Sequence, residues 1–350
     1  MICIGASVMC YKVEAYAKLA TQLRDKMQGM PEFIVNFINS YKSTATRNNN
    51  WCILKGFLEW LLDRKYMVCK DIFSITASDF ATITVSNLDQ YFEYLQGSKN
   101  NTLETICTKK KVLNAFWNYL LENGNVEKNV VKFVSKSKYK TEKKRGEVKV
   151  QTDKEQQAFL NRLATGNNNE FDIERNIAIV KLLAGSGIRC QELINLDVSD
   201  VFLNGGELLN EGGETKSPFI NILGKGNIQE YESVFISSEA AEALNKYLIV
   251  RTKFLLDKHS ESEALFLSNR GVRLKKTAIT SFFKRYSNGE ITPHMMRHYV
   301  GTKLYESTGD LILVQKQLRH SSRETTAKYY VKTNKNNLIS AVGNLSVYSN

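Results

Sequence analysis

Residues 132–149, KFVSKSKYKTEKKRGEVK, carry eight basic residues, two acids and little apolar content. A stretch like this cannot bury enough surface to offset the entropy of ordering it, so it reads as a linker. It divides a chain of 350 residues into two bodies, each of ordinary domain size. A hydrophobic content of 43% supplies a core for both, and 3 prolines with 20 glycines do not fit a disordered or fibrous chain.

Ahead of the linker the apolar pattern is helical throughout. Residues 12–28 form one such segment, ended by Gly29 and Pro31. A second runs over 32–41, with Phe33, Val35, Phe37 and Ile38 inward. Ser43-Thr44-Ala45-Thr46 is a capping cluster before a third, 47–65, with Trp51, Leu54, Phe57, Leu58 and Leu61 at core spacing. Val85-Ser86-Asn87 opens a fourth, with Leu88, Tyr91, Phe92 and Leu95. Asn101-Thr102 opens a fifth, 103–122, with Ile106, Val112, Ala115, Phe116, Tyr119 and Leu120.

Behind the linker helices and strands mix. Asp153 caps a helix through residue 163, residues 176–185 form a buried one, and 190–196 another. Residues 219–223 and 231–236 read as two strands joined through Gly224-Lys225-Gly226-Asn227, after a Gly/Glu-rich loop at 204–217. Helices follow at 238–256 and 276–286. The division is therefore 1–29, a helical extension; 30–134, a helical body; 135–151, the basic linker; 152–330, a mainly helical body with a small antiparallel sheet; and 331–350, a tail with Leu338, Ile339, Val342 and Leu345 on one stripe.

The net charge is +12, and residues 1–152 carry +9 of it. A basic globular chain implies a polyanionic partner, with nucleic acid first. Lys109, Lys110 and Lys111 cluster on one helix, and Arg47, Lys55 and the linker's Lys143, Lys144 and Arg145 are further candidates for phosphate contact. Six cysteines without a CxxC pair suit a reducing compartment. The apolar first ten residues lack a basic n-region and a cleavage site, and no apolar run approaches the roughly 18 residues of a membrane span. A cytoplasmic location, near the nucleoid of a bacterium, is the expectation.

Residues 292–330 concentrate the chemistry. They hold three of the four histidines, His294, His298 and His320. Thr292-Pro293 starts a helix that puts His294 and Arg297 on one face. Gly309-Asp310 breaks that helix and caps the next, 311–319; His320-Ser321-Ser322 is a second break, and Tyr329 follows His320 by nine residues. Three short helices can thus fold His294, Arg297, His320 and Tyr329 towards one point. A phosphodiester transition state gathers negative charge on its non-bridging oxygens, which suits paired arginines, here Arg189 and Arg297. A tyrosine hydroxyl becomes a usable nucleophile when cations lower its pKa and a histidine handles its proton. Lys225, on a hairpin tip, can protonate a leaving oxygen. Arginine charge replaces a metal in such a site, so no metal or other cofactor is expected. His294 and His298 have a zinc-compatible spacing, but no third ligand and no glutamate of an HExxH site accompany them.

These residues resemble the tyrosine recombinases, or phage integrase family. Gly187-Ile188-Arg189-Cys190-Gln191-Glu192-Leu193 is similar to that family's first arginine box, and Gly224-Lys225-Gly226 to its lysine turn. His294-Met295-Met296-Arg297-His298 matches its His-x-x-Arg-His element, and residues 319–329, RHSSRETTAKY, its Gly-His-Ser-Ser-x-x-Thr-Thr-x-x-Tyr ending. The likeness spans roughly residues 30–350.

The resemblance implies a mainly α fold: a helical core-binding domain at 30–134 and a mixed α/β, mostly helical catalytic domain at 152–330. Tyr329 would attack the scissile phosphate, assisted by Arg189, Lys225, His294, Arg297 and His320, leaving a 3′-phosphotyrosyl link and a 5′ hydroxyl. Glu192 would orient Arg189. Neither ATP nor a metal is implied. Double-stranded recombination sites, a tetramer on two sites, a tail docked into a neighbouring protomer and accessory directionality proteins are the implied partners. The use would be integration, excision or transposition of a mobile element. Chromosome-dimer resolution and relaxation of supercoils by a type IB topoisomerase use the same chemistry, and a DNA-binding protein that only kept the fold is a further alternative. Tyr330 competes with Tyr329, whose spacing from His320 is the family's. Two departures stand out: Arg319 replaces the usual glycine and could contact the DNA backbone, and Ile228 stands where a second lysine is usual.

Overall fold

Threonine, serine and asparagine caps set most of the helix starts in the computed structural model, which describes residues 8–134, 151–166, 169–209, 212–223 and 231–319. Two compact units result, Met1–Gly146 and Glu147–Asn350.

In the first unit α1 (Val8–Lys26), α2 (Glu32–Asn39), α3 (Thr44–Asp63), α4 (Val85–Gly97) and α5 (Leu103–Glu122) surround one core, with short 3-10 turns at Ala77–Thr82 and Val130–Phe133. Ser43 accepts from the Thr46 amide, so α3 starts ahead of the expected residue 47. Thr84 and Asn87 cap α4 reciprocally, with Thr84 N donating to Asn87 Oδ1 at 2.9 Å. Trp51, Phe57, Phe116 and Trp117 are almost fully buried; Phe57 lies edge-on to Tyr91 with ring centres 4.8 Å apart. On α5 the buried positions include Leu113 and Trp117, whereas the expected Ala115 and Tyr119 are only partly buried. The reason is that α5 contacts α3, α4 and the 130–133 turn, so its buried arc is wider than one stripe.

In the second unit α6 (Asp153–Ala164) and α7 (Glu170–Ser186) lead to a short α8 (Cys190–Ile194). The cap of α6 is Thr152, not Asp153: Thr152 N donates to Glu155 Oε2 at 2.8 Å and Glu155 N to Thr152 Oγ1 at 3.2 Å. Helix α7, capped by Asn169, begins at Glu170, six residues ahead of the expected start, and buries Phe171, Ile179, Leu182 and Leu183. The strands are β1 (Val201–Phe202), β2 (Gly206–Glu207), β3 (Glu214–Thr215), β4 (Phe219–Leu223) and β5 (Tyr231–Phe235). They form a three-stranded antiparallel sheet, β1-β4-β5, with Leu223 opposite Tyr231, and a small β2-β3 ribbon inside the stretch read as a loop. Strand β1 escaped the sequence reading because two residues carry no alternation.

The remaining helices are α9 (Ser238–Asp257), α10 (Lys276–Ser287), α11 (Pro293–Thr308) and α12 (Leu311–Leu318). Helices α6, α9 and α11 pack against α7, which makes α7 the centre of this unit and fixes the α7–α8 corner against α11 and α12. The tail at 331–350 lies outside the described residues.

Candidate active site

Gly187 ends α7 in a left-handed conformation, φ 71°. A side chain there would place Cβ 2.5 Å from Leu318 Cδ2 and 3.2 Å from Val300 Cγ1, so only glycine lets α11 and α12 approach this corner. Arg189 then caps α8. Its backbone amide donates to Glu192 Oε2 at 2.6 Å, and its Nη1 donates to Glu192 Oε1 at 2.8 Å. The Arg189 side chain is one-third exposed and the Glu192 side chain 8% exposed, so the carboxylate anchors a guanidinium that still reaches solvent.

Arg297 approaches from α11, which starts at its Thr292 cap with Pro293 in the first turn. It is buried, and its Nη1 donates to the Gly187 carbonyl at 2.6 Å while Nη2 donates to the Leu318 carbonyl. Arg189 Nη2 donates to the next carbonyl, that of Arg319, at 3.3 Å. Two guanidinium groups thus grip the last two carbonyls before His320. Cations are stabilised at a helix C-terminus, where the carbonyls are unpaired and the dipole is negative. Gln317 Nε2 fixes the same helix end, donating to the carbonyls of Ser186 and Phe235, each at 2.9 Å.

His294 is exposed on α11, one turn before buried His298, and their Nε2 atoms are 3.1 Å apart. One proton must lie between them, which suits two neutral rings. Burial, then Arg297 and Arg189, push the His294 pKa down; burial, then His294 and Arg297, push His298 down to about 4. At neutral pH His294 is therefore an uncharged imidazole beside two arginines, able to accept or relay a proton.

Arg319 is where the sequence reading and the geometry part. Its backbone is left-handed, φ 53°, at a cost of about 1 kcal/mol for a residue with a side chain. Its side chain, 11% exposed, is not extended into solvent as a DNA contact would require. Nη2 donates to Glu192 Oε2 at 2.5 Å and Nε lies 3.3 Å from Glu232 Oε2. Burial pulls its pKa down, and Glu192 and Glu232 pull it back. The sequence reading missed Glu232 and Gln317; an arginine at a helix end that favours glycine was the available signal that a side chain there has partners.

The structure brings Arg189, His294 and Arg297 to one corner. Lys225, His320, Tyr329, Tyr330, Lys143, Lys144 and Arg145 lie outside the described residues; Lys225 falls between the paired Leu223 and Tyr231. In the first unit Arg47 is engaged internally, donating to the carbonyls of Tyr41 at 2.5 Å and Asn39 at 3.0 Å. Lys110 donates to the Val134 carbonyl at 3.0 Å, Lys55 pairs with Glu59 at 3.6 Å on the surface, and Lys111 is exposed. Burial, then Lys99, lowers the Lys109 pKa. Among the described residues no group of three or more His, Cys, Asp or Glu could hold a metal ion, and no helix is long and apolar enough to cross a membrane.

Residues 149–337 match the phage integrase family. The chain belongs to that family, the tyrosine recombinases, enzymes that cleave and rejoin DNA strands. Tyrosine recombinase XerS of Streptococcus agalactiae is 31% identical over 314 residues, covering 79% of this chain and 83% of the relative. The fold is similar to that of the Tn1549 transposon integrase in complex with a circular intermediate DNA, at a TM-score of 0.59 and 17% identity, covering 94% of this chain and 98% of that one. It is also similar to XerH site-specific recombinase bound to difH substrate, at a TM-score of 0.57 and 22% identity, covering 82% and 77%.

Proposed function

We propose that this chain is a site-specific recombinase in which Tyr329 attacks a scissile phosphate held by Arg189 and Arg297, with Lys225, His294 and His320 assisting. The observation that carries the reading is the convergence of both arginines on the carbonyls of residues 318 and 319, beside His294 and directly ahead of His320. A phosphodiester entering there meets two permanent cations whose positions are already fixed, so charge developing on its non-bridging oxygens needs no reorganisation to be met. The tyrosine proton passes to a base, for which neutral His294 and His320 are the candidates. The O5′–phosphorus bond breaks as the tyrosine–phosphorus bond forms, and Lys225 protonates the leaving oxygen. Attack by a 5′ hydroxyl of another strand reverses these steps and conserves the phosphodiester.

The partner is double-stranded DNA carrying a recombination site. Four protomers on two sites, with the 331–350 tail docked between neighbours and accessory directionality proteins, complete the assembly. The use is integration and excision, or transposition, of a mobile element; the Xer-named relatives favour chromosome-dimer resolution as a second use of the same chemistry. The site of action is the cytoplasm.

The test is covalent capture. Nicked duplexes taken from the DNA flanking the coding sequence should form a protein–DNA adduct, and Tyr329→Phe should abolish it. No adduct on any such duplex, together with relaxation of plasmids lacking them, would replace this reading by a topoisomerase.

A further inference from the structure

The family pattern has glycine where this chain has Arg319, and the backbone there keeps the left-handed conformation that glycine adopts freely. The arginine is held in that conformation with its side chain buried between two carboxylates, Glu192 on α8 and Glu232 on β5. Glu192 is shared: Oε1 takes Arg189 Nη1, while Oε2 takes both the Arg189 amide and Arg319 Nη2. The carbonyl of Arg319 takes Arg189 Nη2. Glu232 lies one residue past Tyr231, where the chain re-enters the sheet after the 224–230 connection that contains Lys225. One residue thus touches both the support of Arg189 and the second residue of β5, and in the sequence it directly precedes His320.

We propose that Arg319 is a positioning residue: by sharing Glu192 and pairing Glu232 it keeps Arg189 available to the phosphate. The inference rests on the catalytic reading of Arg189 given above. The charge balance supplies the reason. With Arg319 present, two guanidinium groups face two carboxylates. Without it, Glu192 faces Arg189 alone and Glu232 loses the guanidinium it pairs with here, at a place an anionic phosphodiester has to enter. The 8% exposure of Glu192 leaves that imbalance poorly screened by water.

The experiment uses the full chain and a nicked duplex recovered from a random-sequence pool by covalent capture on the wild-type protein. Adduct formation at saturating duplex, duplex affinity and thermal midpoint are measured for Arg319→Gly, Arg319→Lys, Glu192→Gln, the Arg319→Gly/Glu192→Gln double variant and Arg189→Ala. Glycine suits the backbone at 319, so Arg319→Gly should fold. It should slow adduct formation by about 10-fold or more while duplex affinity stays within about 2-fold. Arg319→Lys should fall between Arg319→Gly and the wild type. The double variant should be faster than Arg319→Gly, because removing the Glu192 charge removes the imbalance. Wild-type rates in Arg319→Gly, or a loss that Glu192→Gln does not relieve, overturn the proposal. If Arg189→Ala also forms adduct at the wild-type rate, the catalytic reading itself fails; if Arg189→Ala is dead and Arg319→Gly is not, only this inference fails.

Discussion

The guanidinium of Arg297 donates to the carbonyl of Gly187, 110 residues earlier in the chain, at 2.6 Å. That bond joins the α7–α8 corner to α11, and the second bond of the same guanidinium, to Leu318, joins both to α12. Arg297 therefore holds the site together as well as carrying charge in it. Arg297→Ala leaves two buried carbonyls without this donor and should cost about 2–4 kcal/mol in urea unfolding. It should also lower adduct formation by more than about 100-fold. Arg297→Lys keeps the charge but cannot bridge both carbonyls, so it should recover less than half of the lost stability.

Gly187→Ala tests the corner from the other side. The new methyl group meets Leu318 and Val300 at a positive φ, and strain and collision together should cost about 2–4 kcal/mol. The loss should appear in the transition of the second unit, and α12 amides should exchange faster than the rest of that unit.

Acidification should weaken the second unit through His298. Its folded pKa, about 4, lies below the unfolded value near 6.5. The unfolded chain then binds the proton first, so stability is complete above about pH 6.5 and falls as pH drops towards 4. The loss should be about 1–3 kcal/mol by pH 4, and His298→Asn should flatten that limb of the pH–stability curve. A curve unchanged by the substitution would assign the acid sensitivity elsewhere.

Lys110 and Lys111 are neighbours with different surroundings. Lys111 is exposed, so Lys111→Ala should leave stability alone and reduce the salt dependence of duplex binding by about one unit of slope. Lys110 is bonded to the Val134 carbonyl. Lys110→Ala should destabilise the first unit by about 0.5–1.5 kcal/mol, and a denaturant titration of each variant would separate the two cases.

Much of this site was legible in the sequence because its parts are local motifs. Thr292-Pro293 fixed a helix start, and the spacing of His294 and Arg297 fixed their common helix. What sequence spacing could not show was direction. Arg47 and Arg319 were read as reaching outward, since a lone arginine on a basic chain usually does; both fold back, onto helix-end carbonyls in one case and two glutamates in the other. Strand β1 and the β2-β3 ribbon are two residues per strand, below any period that a pattern can reveal. The widened buried arc of α5 depends on how many neighbours it has, which its own sequence does not encode.

Helix α12 is only eight residues long. A helix of that length does not persist in water on its own. Its order is borrowed from Arg189 and Arg297, which hold the carbonyls at its end, and from its own Gln317, which ties it to the carbonyls of Ser186 and Phe235. A phosphate held by the same two guanidinium groups sits directly beside that helix end. The amides of α12 are therefore a built-in gauge: their hydrogen-exchange rates should change when DNA occupies the arginines, and would report engagement of the site before any bond is cut.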